Sequence, residues 1–217
     1  MGNQQDDDAN RLLEGAYALK TPSDNLDYYR DFASHYDASF ADAMGYTYPA
    51  MVAAVLAQTK CPKGTILDIG CGTGLVAHEL RALGTSGAID GVDLSPEMLD
   101  RAKEKHLYQH IFQADLTASL SHLPDGYAAL ISAGTFTHGH LGPEPLAALI
   151  AHCQSGAKAV IGVNAVHYIE RAFGPFLDDL VAKGSIDAPA LHEVKIFSGA
   201  DDVHAKDTAF IIEFAVK

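Results

Sequence analysis

The chain has 217 residues, 48% of them hydrophobic, with 28 acidic against 15 basic side chains and a formal net charge of −13. That length suits one domain able to bury a sizeable core, and no apolar run reaches the length of a membrane span. A polyanionic partner is disfavoured, because nucleic-acid binding sets Lys and Arg against phosphates, and the one basic cluster, residues 101–105, is interrupted by Glu104 as a solvated helix face would be.

In chain order, residues 1–8 read as a disordered acidic tail. The polar start is unlike a secretory signal, and Asp6 stands where a myristoylation site needs Ser or Thr. A cytoplasmic protein without nucleic-acid or membrane partners is expected. Residues 9–20 have helical spacing through Leu12, Leu13, Tyr17 and Leu19, and residues 26–40 repeat it through Tyr29, Phe32, Ala33 and Tyr36. Thr47 is positioned to cap a third helix through Gln58, with Pro49 tolerated in its first turn. Residues 9–60 thus read as a helical cap or lid, and 61–217 as the core of the same single domain, 9–217.

From residue 65 the pattern changes to alternating strands and helices. Strands are expected at 65–69, 88–94, 110–114, 127–132 and 158–164. Between them come helices at 75–83, 95–105 and 143–154, and another follows at 168–183. Two closing strands, 192–197 and 208–216, are too close for a helical crossover and should pair as an antiparallel hairpin. The fold class is α/β: a doubly wound, Rossmann-like, seven-stranded sheet, mostly parallel, with a C-terminal hairpin and a helical N-terminal cap. Cys61, Cys71 and Cys153 are too few and too scattered for a disulfide framework.

The chemistry concentrates at successive strand ends. The first strand runs into Gly70-Cys71-Gly72-Thr73-Gly74, where glycines let the backbone turn sharply and the next helix offers free amides to an anion. The G-x-G-x-G spacing leaves out the room a dinucleotide pyrophosphate requires in G-x-G-x-x-G. It favours S-adenosylmethionine (SAM), whose anion is a methionine carboxylate. Asp93 ends the second strand, where it can accept ribose hydroxyls or act as a helix cap. Asp115 follows the third, where it can accept from the adenine amine or simply close a turn, while Leu94, Met98 and Leu116 could wall the base. Asp68 precedes the loop within reach of the methionine ammonium.

Ile66-Leu67-Asp68-Ile69-Gly70-Cys71-Gly72-Thr73-Gly74 resembles the first motif of class I SAM-dependent methyltransferases. Gly91-Val92-Asp93-Leu94-Ser95-Pro96-Glu97-Met98-Leu99 resembles the second, and Ala114-Asp115-Leu116 the third. The stretch from Cys71 to Arg81 and Leu107-Tyr108-Gln109 are similar to the methyltransferase-like family named from the Williams–Beuren chromosome region. Residues 29–37 resemble that family's lid segment, with Arg30 in place of its first Asp. The resemblance implies SAM as methyl donor, S-adenosylhomocysteine (SAH) as product, and Tyr29 and Tyr36 closing over the sulfonium, although both tyrosines also suit a helix core face. Ala114 and Ala133 join the implied cofactor contacts.

Ser132 to His140 forms the loop expected beside the methyl group, and His138 or His140 could deprotonate an acceptor there, with His167 farther off. These histidines are also compatible with purely structural roles. No metal is expected, because His138-x-His140 lacks a carboxylate or thiol partner. The loop has no Asn/Asp-Pro-Pro-Tyr/Phe signature, which with the acidic charge points to a small-molecule acceptor. A non-catalytic SAM-binding module and a nicotinamide-dependent oxidoreductase are the alternatives.

Overall fold

The computed structural model describes residues 45–137, 140–198 and 207–217. The expected helices over 9–20 and 26–40, with Tyr29 and Tyr36, lie outside them, as does His138. Helix α1 (Tyr48–Gln58) leads into β1 (Ile66–Ile69), α2 (Leu75–Ala82), β2 (Ile89–Asp93), α3 (Pro96–Glu104) and β3 (His110–Gln113). There follow β4 (Tyr127–Phe136), α4 (Pro145–Ala151), β5 (Cys153–Asn164), α5 (Ala165–Glu170), α6 (Phe173–Ala182), β6 (Ala190–Lys195) and β7 (Thr208–Ala215).

The strands make one seven-stranded sheet in the order β3-β2-β1-β4-β5-β7-β6. β1 to β5 pair in parallel, while β7 lies antiparallel between β5 and β6. The expected doubly wound sheet with its terminal hairpin is therefore the observed one. The strand order reverses between β1 and β4, which opens a crevice above their carboxyl ends.

Both faces of the sheet are covered, and its central strands are accordingly mostly apolar. On one face Val52, Ala53 and Leu56 of α1 and Ala77 and Leu80 of α2 cluster with Ala129, Ile131 and Val160. On the other, Leu146 and Leu149 of α4 and Leu177 of α6 cluster with Leu67, Leu130 and Ile161. Helix α1 is thus part of a sheet-covering layer. Among the described residues no helix is long and apolar enough to cross a membrane.

The backbone departs from the sequence periodicity in four places. Thr47 is the residue before α1, but its hydroxyl makes no capping bond. The helix expected to end at 154 stops at Ala151, because the following segment is recruited by the sheet. Gly126 and Tyr127 donate to the His152 carbonyl and Gly156 donates to that of Val216, so β5 starts at Cys153 opposite Tyr127.

The single helix expected over 168–183 is instead two. Pro175 has no amide hydrogen to return to the preceding turn. The chain breaks at Ala172, and Asn164 caps the first piece by accepting from Val166 and His167. Finally, β4 continues past Ser132 to Phe136. Ser132 lies opposite Ile161 and Phe136 opposite Val163, so four steps on β4 match two on β5. Residues 133–135 bulge out, and Phe136 returns to the core at 1% exposure.

Ala172 carries a left-handed φ of 53°, which disfavours any residue with a Cβ. Ala172→Gly is expected to raise the unfolding free energy by about 0.5–1 kcal/mol after its own entropic cost. A higher urea midpoint at unchanged m would register the gain.

Candidate functional site

The strand-to-helix turn after β1 depends on Gly70. Its φ is 62°, and a Cβ there would run into the Thr135 side chain. Thr135 is held in that spot because its hydroxyl donates to the Ile69 carbonyl at 2.9 Å, beside the Ser132 hydroxyl donating to the same oxygen at 2.8 Å. Gly72 has φ 51°, yet a Cβ there would meet nothing within 4 Å. Its bare face opens onto the crevice. Gly74 precedes α2 without a side-chain cap, so the first amides of the helix, along the wall formed by Leu75 and Val76, can serve a ligand's acceptor atoms.

Asp93 binds two loops at once. Its Oδ2 accepts from the Gly72 amide at 2.8 Å and its Oδ1 from the Ser95 amide at 2.9 Å. Burial pushes its carboxyl upward against the lowering effect of the Ser95, Gly72 and Leu94 amides. Ser95 in turn caps α3, accepting from Met98 at 3.2 Å. Asp115 is exposed, and its Oδ1 accepts from the Thr117 amide at 2.8 Å and hydroxyl at 2.7 Å. It closes a turn and lines the crevice at the same time.

Asp68 is placed differently, fully buried beneath the loop. Its Oδ2 accepts from the Tyr108 hydroxyl at 2.7 Å. Burial raises its carboxyl to about 7, with the Tyr108 bond pulling it down and the charge of Asp93 pushing it further up.

The crevice takes in about 1060 Å³ of empty space, the open solvent at its mouth included. Leu94, Met98, Ala114 and Leu116 supply apolar wall at one end, and Ala133, Gly134 and Thr135 of the β4 bulge lie in the middle. Tyr46, Pro49, His140 and Leu141 surround the other end. His140 is half-buried there, and desolvation together with His167 pulls its imidazole down to about 4. His167 is itself buried, with its Nε2 2.8 Å from the Leu141 carbonyl.

Gly70, Gly72, Asp93, Leu94, Met98, Ala114, Asp115, Leu116, Ala133 and His140 therefore share one crevice. Asp68 and Gly74 lie behind it. Sequence reasoning did not single out Tyr46, Pro49, Thr73, Ser95 or Leu141 for the site, while Thr135 belongs to the 132–140 loop it expected there. Thr73 and Ser95 lie beside the glycines and Asp93, so the local motifs could have found them. Tyr46 comes from a distant segment with no motif of its own.

Residues 66–159 match a family model described as a methyltransferase domain. Human methyltransferase-like protein 27 is 32% identical over 133 residues, covering 59% of this chain and 54% of that protein. The chain thus spans about half the length of that relative. A TehB-like SAM-dependent methyltransferase from Corynebacterium glutamicum superposes with a TM-score of 0.56 at 23% identity, over 91% of this chain and 100% of that one. A phosphoethanolamine N-methyltransferase from Haemonchus contortus, solved with SAH, gives 0.57 at 12% identity, over 84% of this chain and 59% of that one.

The two loop glycines should respond differently to substitution. Gly70→Ala meets both the left-handed φ and the Thr135 side chain, and is expected to cost about 2–4 kcal/mol of stability. Gly72→Ala meets only the strain, at about 1–2 kcal/mol. Urea denaturation of the pair would reveal the gap.

Proposed function

We propose that this chain, residues 66–159 of which match a methyltransferase domain, is a class I S-adenosylmethionine-dependent methyltransferase that transfers a methyl group from SAM to a small-molecule acceptor. The observation that carries this reading is the convergence, at one switch-point crevice, of the glycine loop, Asp93 and Asp115 from three adjacent strand ends. When bound, SAM supplies a methyl group already activated on a sulfonium, so the protein's task is alignment and water exclusion.

In this reading the open face at Gly72 and the uncapped start of α2 receive the methionine carboxylate. Asp93 retains acceptor capacity for the ribose hydroxyls beyond its two amide bonds. Asp115 accepts from the adenine amine, with Leu94, Met98 and Leu116 against the base. Asp68 acts on the methionine ammonium from beneath the loop, through the field of its charge. Tyr29 and Tyr36 close over the sulfonium, where their ring faces attract a cation.

The acceptor then sits among Tyr46, Pro49, Thr135, His140 and Leu141. His140 is neutral at ordinary pH and can accept a hydrogen bond from an acceptor hydroxyl or amine. With an acid constant near 4 it is a weak base, so its part is orientation, and His138 is the better candidate for taking a proton. The small-molecule assignment is supported by the net charge of −13 and by an acceptor end whose described wall is mostly aromatic and aliphatic.

Calorimetric titration with SAH is expected to give micromolar binding. Asp93→Ala should weaken it by about 10- to 100-fold through lost charge-assisted hydrogen bonds. Gly72→Arg should abolish it while leaving the protein folded, since its side chain projects into open crevice. Unchanged SAH affinity in both variants would refute the cofactor site. A metabolite-pool screen reading SAH release then tests catalysis: release with an acceptor supports the transferase, whereas tight SAH binding without turnover on any pool indicates a binding module.

A further inference from the structure

Behind the glycine loop the buried Asp68 meets the half-buried Tyr108, a pair that takes no direct part in the crevice wall. The Tyr108 hydroxyl donates to Asp68 Oδ2 at 2.7 Å, while Asp68 Oδ1 is buried without a hydrogen-bond partner among the described residues. The Tyr108 ring also fills the space left by two glycines. A Cβ on Gly74 would come within 3.1 Å of it, and a Cβ on Gly91 within 3.0 Å.

We propose that Tyr108 is a positioning residue for the cofactor: its hydroxyl fixes Asp68 beneath the loop and its ring props the loop from behind. The inference rests on the SAM reading above. Among the described residues, the titratable groups that act on Asp68 are Tyr108 and the like-charged Asp93, and Asp68 in turn acts on the neighbouring Cys71 thiol, itself held neutral by burial. None of these is a cation. An ammonium held over the loop is the positive partner that this arrangement lacks, and it gains only from the ionised carboxylate.

Asp68 takes up a proton as the pH falls through about 7, so affinity for a ligand bearing an ammonium falls with it. Tyr108 donates to the charged form, and removing that bond raises the carboxyl further. The test is SAH affinity measured by calorimetry from pH 5.5 to 8.5 for the parent, Tyr108→Phe and Asp68→Asn, with circular dichroism to establish folding.

The parent is expected to lose affinity below about pH 7. In Tyr108→Phe the break moves up by about one pH unit, making binding at pH 7 about fivefold weaker. Asp68→Asn shows no break in this range. A phenylalanine variant with the parent's affinity and profile overturns the inference, as does one weakened equally at every pH, which would mark a merely structural role. Should the phenylalanine variant not fold, a break that persists in Asp68→Asn overturns it as well. A parent that binds no SAH at any pH overturns the cofactor reading itself.

Discussion

The site depends on one steric fact: at the end of β1 the backbone must turn left-handed in a space that Thr135 already occupies. Gly70 satisfies both demands. The Ile69 carbonyl receives the hydroxyls of Ser132 and Thr135. Those two residues bracket the β4 bulge. The glycine loop and the bulge are therefore one object, joined at a single carbonyl oxygen, and the crevice floor and its middle wall cannot shift independently. The bulge does more than lengthen a strand, because it turns Ala133 and Gly134 toward the ligand space while sending Phe136 back into the core.

Charge is organised around the same turn. Asp68, Asp93 and Asp115 belong to the ends of three adjacent strands, and for the first two burial raises the carboxyl above the ordinary range. Buried carboxylates near one another are costly without compensation. Here the compensation comes from neutral donors: the Gly72 and Ser95 amides for Asp93 and the Tyr108 hydroxyl for Asp68. Such an arrangement leaves a net negative field over the loop, which welcomes a cationic ligand and repels an anionic one. The uncapped start of α2 supplies the opposite sign close by. A zwitterion with both charges on one short chain matches the pair of fields, as a phosphate ester does not.

Most of the donor half was legible in the sequence because its parts are local. A strand, a glycine turn and a carboxylate at the next strand end recur within short windows, and parallel pairing brings successive strand ends together without further information. The sheet and its terminal hairpin followed from the same alternation. What the periodicity misread was set by tertiary hydrogen bonding. Cys153 looked helical until Gly126 and Tyr127 claimed the neighbouring carbonyl, and the helix after β5 was cut where Pro175 could not return an amide. The two-residue excess in β4 had no local mark, since Gly134 alone does not distinguish a loop from a bulge.

The other end of the crevice was less legible for a reason that follows from how the fold is assembled. Tyr46 arrives from the segment before α1, Thr135 from the bulge, and His140 and Leu141 from the turn before α4. Thr135, His140 and Leu141 follow one another after the fourth strand, whereas Tyr46 shares no window with them, and their meeting depends on the packing of α1 over β4 and β5. A wall built from such connections can change one residue at a time without disturbing the turn at Gly70 or the bonds of Asp93. The physical separation explains the asymmetry in what can be read. In the proposed reading, binding one fixed adenosyl ligand would constrain residues that are tied together by backbone geometry, whereas an acceptor would be met by side chains on connections that the sheet leaves free to differ. His140 shows the distinction well: desolvation and His167 lower its imidazole, but nothing in the local sequence Thr137 to Leu141 encodes those surroundings, because they are imposed by neighbours as remote as His167.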